Sequence, residues 1–310
     1  MQIQWFPGHM HKAAKAVREV LPSVDVLIEV LDARIPFSSQ NPMIADLIKH
    51  KPCIKLFNKS DLADPEMTRV WQQHLEQQDN IRTLQTNVKA QNSLSHITDL
   101  CHKLIPNKGR EGDYKNIHAM IIGIPNVGKS TLINALAGKT IARTGNEPAV
   151  TKNQQRIKLD GGITLIDTPG MLWPKIEHEN YAYRLAATGA IKETATDNTD
   201  VAFATAEYLL ATYPQRLLER YELEQIPTSE LALIEAIGRL RGCLRAGGDV
   251  LLEKASNILI AELRNGTLGP ITLESPEQVA REQTHVMQAR EKKRLKDETR
   301  KQRFKGKNKR

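Results

Sequence analysis

Three short clusters in this chain have the residue types and spacing that nucleotide chemistry requires. Gly123-Ile124-Pro125-Asn126-Val127-Gly128-Lys129-Ser130 reads G-x-x-x-x-G-K-S. Glycines at 123 and 128 let backbone N–H groups wrap phosphate oxygens at a helix N-terminus, where the helix dipole favours negative charge. Asn126, Val127, Gly128, Lys129, Ser130 and Thr131 are the expected phosphate contacts. Among them Lys129 reaches the β- and γ-phosphates and Ser130 binds Mg²⁺. Asp167-Thr168-Pro169-Gly170 reads D-x-x-G and closes a hydrophobic run. Asp167 there holds Mg²⁺ through water, and the Gly170 N–H senses a γ-phosphate. Asn58-Lys59-Ser60-Asp61 reads N-K-x-D. The Asp61 carboxylate accepts two hydrogen bonds from guanine N1 and N2, while Lys59 lays its aliphatic stem over the base. Adenine lacks that donor pair, so ATP leaves Asp61 desolvated and unpaired. Such a loss costs on the order of 1.5–3 kcal/mol, tenfold or more in selectivity.

Two weaker candidates complete the set. Thr151, in the loop before a strand, is the expected second Mg²⁺ hydroxyl ligand; a solvated loop threonine is the alternative. Thr86-Asn87 follows the strand-like run Ile81 to Leu84 and is the expected second guanine loop. GTP and GDP are therefore the expected ligands. The order of the motifs is unusual: the base reader precedes the P-loop and the γ-phosphate sensor, as in a circularly permuted GTPase.

The elements that must position these residues are legible from periodicity. Runs at 24–31, 53–57, 117–122, 155–159 and 163–166 read as strands, the first three as buried parallel ones. Gly161-Gly162 between the last two is a hairpin signature. Helical stretches at about 41–50, 65–78, 91–105 and 130–137 alternate with them, which implies a doubly wound α/β fold. After Trp173-Pro174 the spacing turns helical over 178–190, 198–213, 228–242 and 249–265, punctuated by Pro and Gly. The expected organisation is a circularly permuted P-loop GTPase domain (1–174), an all-α domain (175–275) and a basic, flexible tail (276–310).

Composition narrows the partners. Residues 281–310 hold thirteen Lys and Arg against four Asp and Glu, a balance of +9, whereas the whole chain carries +8. The basic charge therefore belongs to the tail. Such a segment either solubilises the chain or binds a polyanion, and the charge logic favours RNA. Arg239, Arg241 and Arg245, at nearly helical spacing, are either phosphate contacts or a solvated helix face. Cys53, Cys101 and Cys243 form no CxxC pair, which argues against a disulfide framework or zinc site. No secretion signal or 18-residue apolar span is present. A cytoplasmic monomer with no membrane partner is expected.

With these residues in view, the chain resembles the circularly permuted ribosome-assembly GTPases of the YlqF type. The resemblance extends to Trp5-Phe6-Pro7-Gly8-His9-Met10, Asp32-Ala33-Arg34-Ile35-Pro36 and the helical stretch from Arg241-Gly242-Cys243-Leu244 through Gly269. It implies GTP hydrolysis coupled to late maturation of the large (50S) ribosomal subunit, with rRNA bound by the helical domain and the basic tail. It also points to His9 as the catalytic group, because Met171 stands where many GTPases carry a water-orienting Gln. It further implies K⁺ held by Asn126. Two departures stand out: Ala149 replaces a usual Gly before Thr151, and Asn87 replaces a small hydroxyl residue. A GTP-dependent RNA-binding scaffold with negligible intrinsic catalysis is the alternative reading at this level.

Overall fold

The most apolar runs of the chain lie side by side at the centre of one sheet. The structure, a computed structural model, describes residues 8–45, 51–87, 95–109, 116–141 and 155–307. In chain order the first part consists of α1 (Gly8–Val20), β1 (Val26–Asp32), α2 (Pro42–Ala45), β2 (Cys53–Asn58), α3 (Pro65–Leu75), β3 (Ile81–Gln85) and α4 (Ser95–Leu104). It continues through β4 (Ile117–Ile122), α5 (Lys129–Leu136), β5 (Gln155–Leu159) and β6 (Ile163–Asp167). The strand order is β3-β2-β1-β4-β6-β5. Every neighbouring pair is parallel except β5–β6, which the Gly161-Gly162 turn joins as an antiparallel hairpin.

Strands β1, β2 and β6 are buried at every position, as expected of parallel strands covered on both faces. Two of their charged residues match each other. Glu29 in β1 stands opposite Lys55 in β2, and the Lys55 ammonium donates to the Glu29 carboxylate. The sheet grows outward from β1 in one direction through β2 and β3. It grows in the other through β4 and β6. The crevice between the β1 and β4 carboxyl ends is therefore the topological switch point where α/β sheets bind ligands. The N-K-x-D and D-x-x-G segments begin in the last residues of β2 and β6, and the P-loop leaves β4, so parallel pairing delivers all three to one edge.

Two local features depart from the sequence expectation here. Residues 8–20 form α1, which the sequence reading leaves without structure. Ala14, Val17 and Leu21 recur at helical spacing and turn one face onto Leu27, Met120, Ile166 and Met171. The helix expected over 41–50 is described only as the single turn Pro42–Ala45, the remainder lying outside the described residues.

The second part is helical: α6 (Glu179–Ala187), α7 (Asn198–Thr212), α8 (Pro214–Tyr221), α9 (Glu230–Leu240), α10 (Leu252–Asn265) and α11 (Pro276–Lys307). Side chains cap several starts. His178 accepts from the Asn180 N–H, Asp197 from Thr199 and Ser229 from Ala232. Helix α8 is an addition to the sequence expectation. Pro214 reads as punctuation, yet it occupies the first helical turn, where a missing N–H is harmless. The apolar faces of α6, α7, α9 and α10 join the cluster beneath the sheet, so one core runs across both parts.

The basic segment expected as a flexible tail is helical. Its Glu, Gln, Lys, Arg and Ala residues favour a helix even where they cannot make a core, and Arg294 pairs with Glu291 and Glu298 on the same face. Among its described side chains only the start is buried: Val279 packs with Trp71 and Leu75, and Glu282 meets Arg184. Met287 and Leu295 are exposed. Among the described residues, no helix is long and apolar enough to cross a membrane.

Glu274 fastens the two parts together. It is fully buried and accepts from the Phe37 and Ser38 N–H groups, from Ser38 Oγ and from Arg184 Nη1. Its removal would leave the Phe37 and Ser38 donors without their acceptor and the buried Arg184 with Glu282 as its one remaining carboxylate. Glu274→Ala is therefore expected to lower the unfolding free energy in urea by about 3–5 kcal/mol. A loss under about 1 kcal/mol would mean that water or Glu282 replaces it.

Candidate active site

The P-loop runs from the end of β4 into α5. Gly123 is required sterically, since a Cβ there would lie 2.6 Å from the Val30 carbonyl oxygen. Gly128 is required conformationally, with φ of 95° in the left-handed region. Lys129 is buried and folds back over its own loop, donating to the Gly123 and Ile124 carbonyls at 3.0 and 2.9 Å. Burial lowers its ammonium pKa to about 8, with nearby Asp167 opposing that shift. Val127 is buried beneath the loop, Ser130 is half-buried, and Thr131 is exposed on the first turn of α5.

The base reader lies against this loop. Asn58 Nδ2 donates to the Val127 carbonyl at 2.6 Å, and Lys59 Nζ donates to the Asn126 carbonyl at 2.7 Å. Ser60 reaches the other way, its N–H and Oγ both donating to the Thr86 carbonyl at 3.4 and 3.1 Å. The two candidate guanine loops are thus joined, with Thr86 buried and Asn87 half-buried beside it. Asp61 lies in the short helical turn Ser60–Leu62 with its side chain exposed.

Asp167 ends β6 and is buried, and neither carboxylate oxygen has a hydrogen-bond partner. Burial raises its pKa to about 6, opposed by Lys129 and the Thr168 N–H. A buried carboxylate with both oxygens unsatisfied is a costly arrangement unless a cation completes it. That observation fits Mg²⁺, with Asp167 and Ser130 as the residues that would hold it; the ion would neutralise phosphate charge there. Gly170 packs tightly below: a Cβ would lie 3.0 Å from both Lys129 Nζ and Pro125 Cα. The next residue is tied on both sides. The Met171 N–H donates to the Gly123 carbonyl at 3.2 Å, and its carbonyl accepts from Asn41 Nδ2 at 3.0 Å.

Asn126 has a left-handed backbone (φ 59°), and its Nδ2 donates to the Gly189 carbonyl at 2.7 Å, a direct bond from the P-loop to the end of α6. His9 falls in the first turn of α1, but its side chain lies outside the described residues. Thr151 also lies outside them. Asp32, Arg34 and Asn41 carry functional contacts that the motifs did not reveal. The sequence signal for Asp32 and Arg34 was the Asp32–Pro36 segment, which has a recognisable composition and no assigned chemistry; Asn41 had none.

A P-loop, a guanine reader and a metal-ready aspartate at one sheet edge, in permuted order, define a circularly permuted GTPase. Residues 118–226 match a family model described as 50S ribosome-binding GTPase. Ribosome biogenesis GTPase A of Bacillus licheniformis is 48% identical over 282 residues, covering 89% of this chain and 99% of that protein. Mitochondrial ribosome-associated GTPase 1 of Xenopus tropicalis is 32% identical, over 87% of this chain and 94% of its own. The crystal structure of GNP-bound YlqF from T. maritima superposes with a TM-score of 0.60 at 25% identity, covering 86% of this chain and 99% of that one. The chain belongs to the ribosome biogenesis GTPase A (YlqF-type) family and is a GTPase, hydrolysing GTP to GDP and phosphate in ribosome assembly.

Asp61→Ala is expected to reduce the preference for GTP over ATP about tenfold or more, by removing the acceptor for guanine N1 and N2. Competition of each nucleotide against a fluorescent GDP reads this directly. An unaltered preference would place base selection elsewhere.

Proposed function

We propose that this GTPase is a nucleotide switch in late assembly of the large (50S) ribosomal subunit. In this reading the helical domain (175–275) and the basic segment 276–310 bind rRNA, and the protein works as a cytoplasmic monomer. The observation that carries it is the wiring between the γ-phosphate sensor and the basic helix. Within a few residues of Gly170, Glu177 pairs with Arg290 of α11, and the rings of His178 and His285 stack at 6.4 Å. Asn180 and Arg184 both bond Glu282, each at 2.7 Å. A displacement at Gly170 therefore has a short packed route to α11, whose exposed Arg290, Lys292, Lys293, Arg294 and Lys296 suit a phosphate backbone. GTP holds the switch segment ordered and hydrolysis relaxes it, which changes how α11 is presented to RNA.

Met171 is buried against Val17 of α1 and cannot orient water. The same contact supports a substitute. His9 lies eight residues before Val17, about 12 Å along the helix axis, on the same helix that docks against Met171. A neutral imidazole, with an ordinary pKa near about 6.5, accepts a hydrogen bond from the attacking water at neutral pH. Thr151 would join Asp167 and Ser130 in holding Mg²⁺, and K⁺ held by Asn126 would supply further positive charge at the phosphates.

Turnover measured for wild type and His9→Ala, with and without large subunits, in KCl and in NaCl, tests the catalytic part. The expected result is subunit-stimulated hydrolysis that falls about 10²–10⁴-fold in His9→Ala, little change in GTP affinity, and faster wild-type turnover in K⁺. Equal stimulated rates in both proteins would remove His9, and equal rates in both salts would remove K⁺. No stimulation at all would favour the scaffold reading.

Co-sedimentation with large-subunit precursors tests the switch. Binding is expected to be stronger with a non-hydrolysable GTP analogue than with GDP, to weaken steeply with salt, and to drop on removal of residues 288–310. Equal binding in both nucleotide states would overturn it.

A further inference from the structure

β1 ends in Asp32, whose side chain is only 3% exposed. Four donors converge on this carboxylate. Arg34 supplies three: its backbone N–H at 3.1 Å and Nε at 2.9 Å to Oδ1, and Nη2 at 2.7 Å to Oδ2. The fourth is Lys59 Nζ, 3.0 Å from Oδ2. Burial alone would raise the Asp32 pKa, but Arg34 and Lys59 hold it well below the usual carboxylate range. Lys59 is the guanine-reading lysine, and its ammonium also donates to the Asn126 carbonyl of the P-loop. Its backbone is left-handed (φ 57°), unusual for a residue with a Cβ, so side-chain bonds must hold it there.

Arg34 continues the chain of contacts in the other direction. It is buried, and Nη1 lies 3.4 Å from the carbonyl oxygens of both Leu263 and Arg264 in the last turn of α10. Carbonyls at a helix C-terminus lack intrahelical partners and carry the negative end of the dipole, so a guanidinium complements them. The Leu273 N–H, just beyond, donates to the Arg34 carbonyl at 2.7 Å. A pair serving only to fill the interior would need Asp32 and Arg34 alone. The third member, Lys59, belongs to the nucleotide site.

We propose that Asp32 is a positioning residue for guanine-nucleotide binding, and that through Arg34 it links nucleotide occupancy to the docking of the α10 C-terminus. Asp32 and the Asn126 carbonyl together fix the Lys59 ammonium, which sets the line of the lysine stem on which guanine rests. Arg34 shares the same carboxylate, so its grip on the Leu263 and Arg264 carbonyls and the set of Lys59 depend on one another. The link acts on the base, not the γ-phosphate, so GTP and GDP are affected alike. Because binding linkage is reciprocal, nucleotide steadies the α10 end as much as that end steadies nucleotide.

Full-length wild type, Arg34→Met and Asp32→Asn, titrated with fluorescent GDP and a non-hydrolysable GTP analogue, test this. Hydrogen exchange over 258–275 is followed with and without GDP. In wild type, GDP is expected to slow exchange at 263–273. Both variants are expected to lose that slowing and to raise both Kd values by about fivefold to tenfold, leaving the GTP-to-GDP ratio unchanged. A merely structural role would lower thermal stability while the folded protein kept its Kd values and its GDP-dependent slowing. That outcome overturns the proposal, and so does a change confined to the GTP analogue. Should neither variant fold, the wild-type measurement decides: GDP without effect at 263–273 overturns it.

Discussion

The parallel pairing of β1 with both β2 and β4 is the constraint on which the rest depends. Because the three strands run together, the loops leaving their carboxyl ends share one edge of the sheet. That is why Asn58 reaches the Val127 carbonyl and Lys59 the Asn126 carbonyl, although sixty-nine and sixty-seven residues separate the partners in the chain. Permutation alters which segment is made first. The sheet order still brings the N-K-x-D segment, the P-loop and Asp167 to one edge.

The segment after Gly170 is then the way out of the sheet. Residue 171 is held by the P-loop through its N–H and by Asn41 through its carbonyl, and a few residues later the chain is bonded to α11. The 32–41 segment lies at the centre of this arrangement. Its first residue contacts the base reader, Arg34 the end of α10, Ser38 the buried Glu274, and Asn41 both Glu29 and the switch. Buried polar groups of this kind are tolerable only when every member is satisfied, which makes the segment sensitive to change at any of its partners.

Much of the fold was legible because its signals are local. Apolar runs bounded by glycine or polar turns marked the strands, and Gly161-Gly162 marked the one antiparallel hairpin. The missed or altered elements had competing local signals. Pro214 reads as a stop but begins α8. Residues 276–307 read as too polar to fold, yet their start docks on the core and the rest has helix-favouring residues and same-face ion pairs. Helix α1 has only a few apolar contacts, and its stripe gains meaning only once Met171 is known to lie beneath it.

For the site, the sequence alone marked the candidate groups for phosphate, metal and base, since backbone wrapping, carboxylate recognition and metal binding each demand particular residues at short, fixed spacing. Tertiary structure alone decided what holds those groups in place. That Asp32 meets Lys59, that Asn126 bonds Gly189, and that Asp167 is buried with both oxygens unsatisfied are relations between distant segments. No local spacing encodes such relations, because they arise only when the strands pair and the helices close over them.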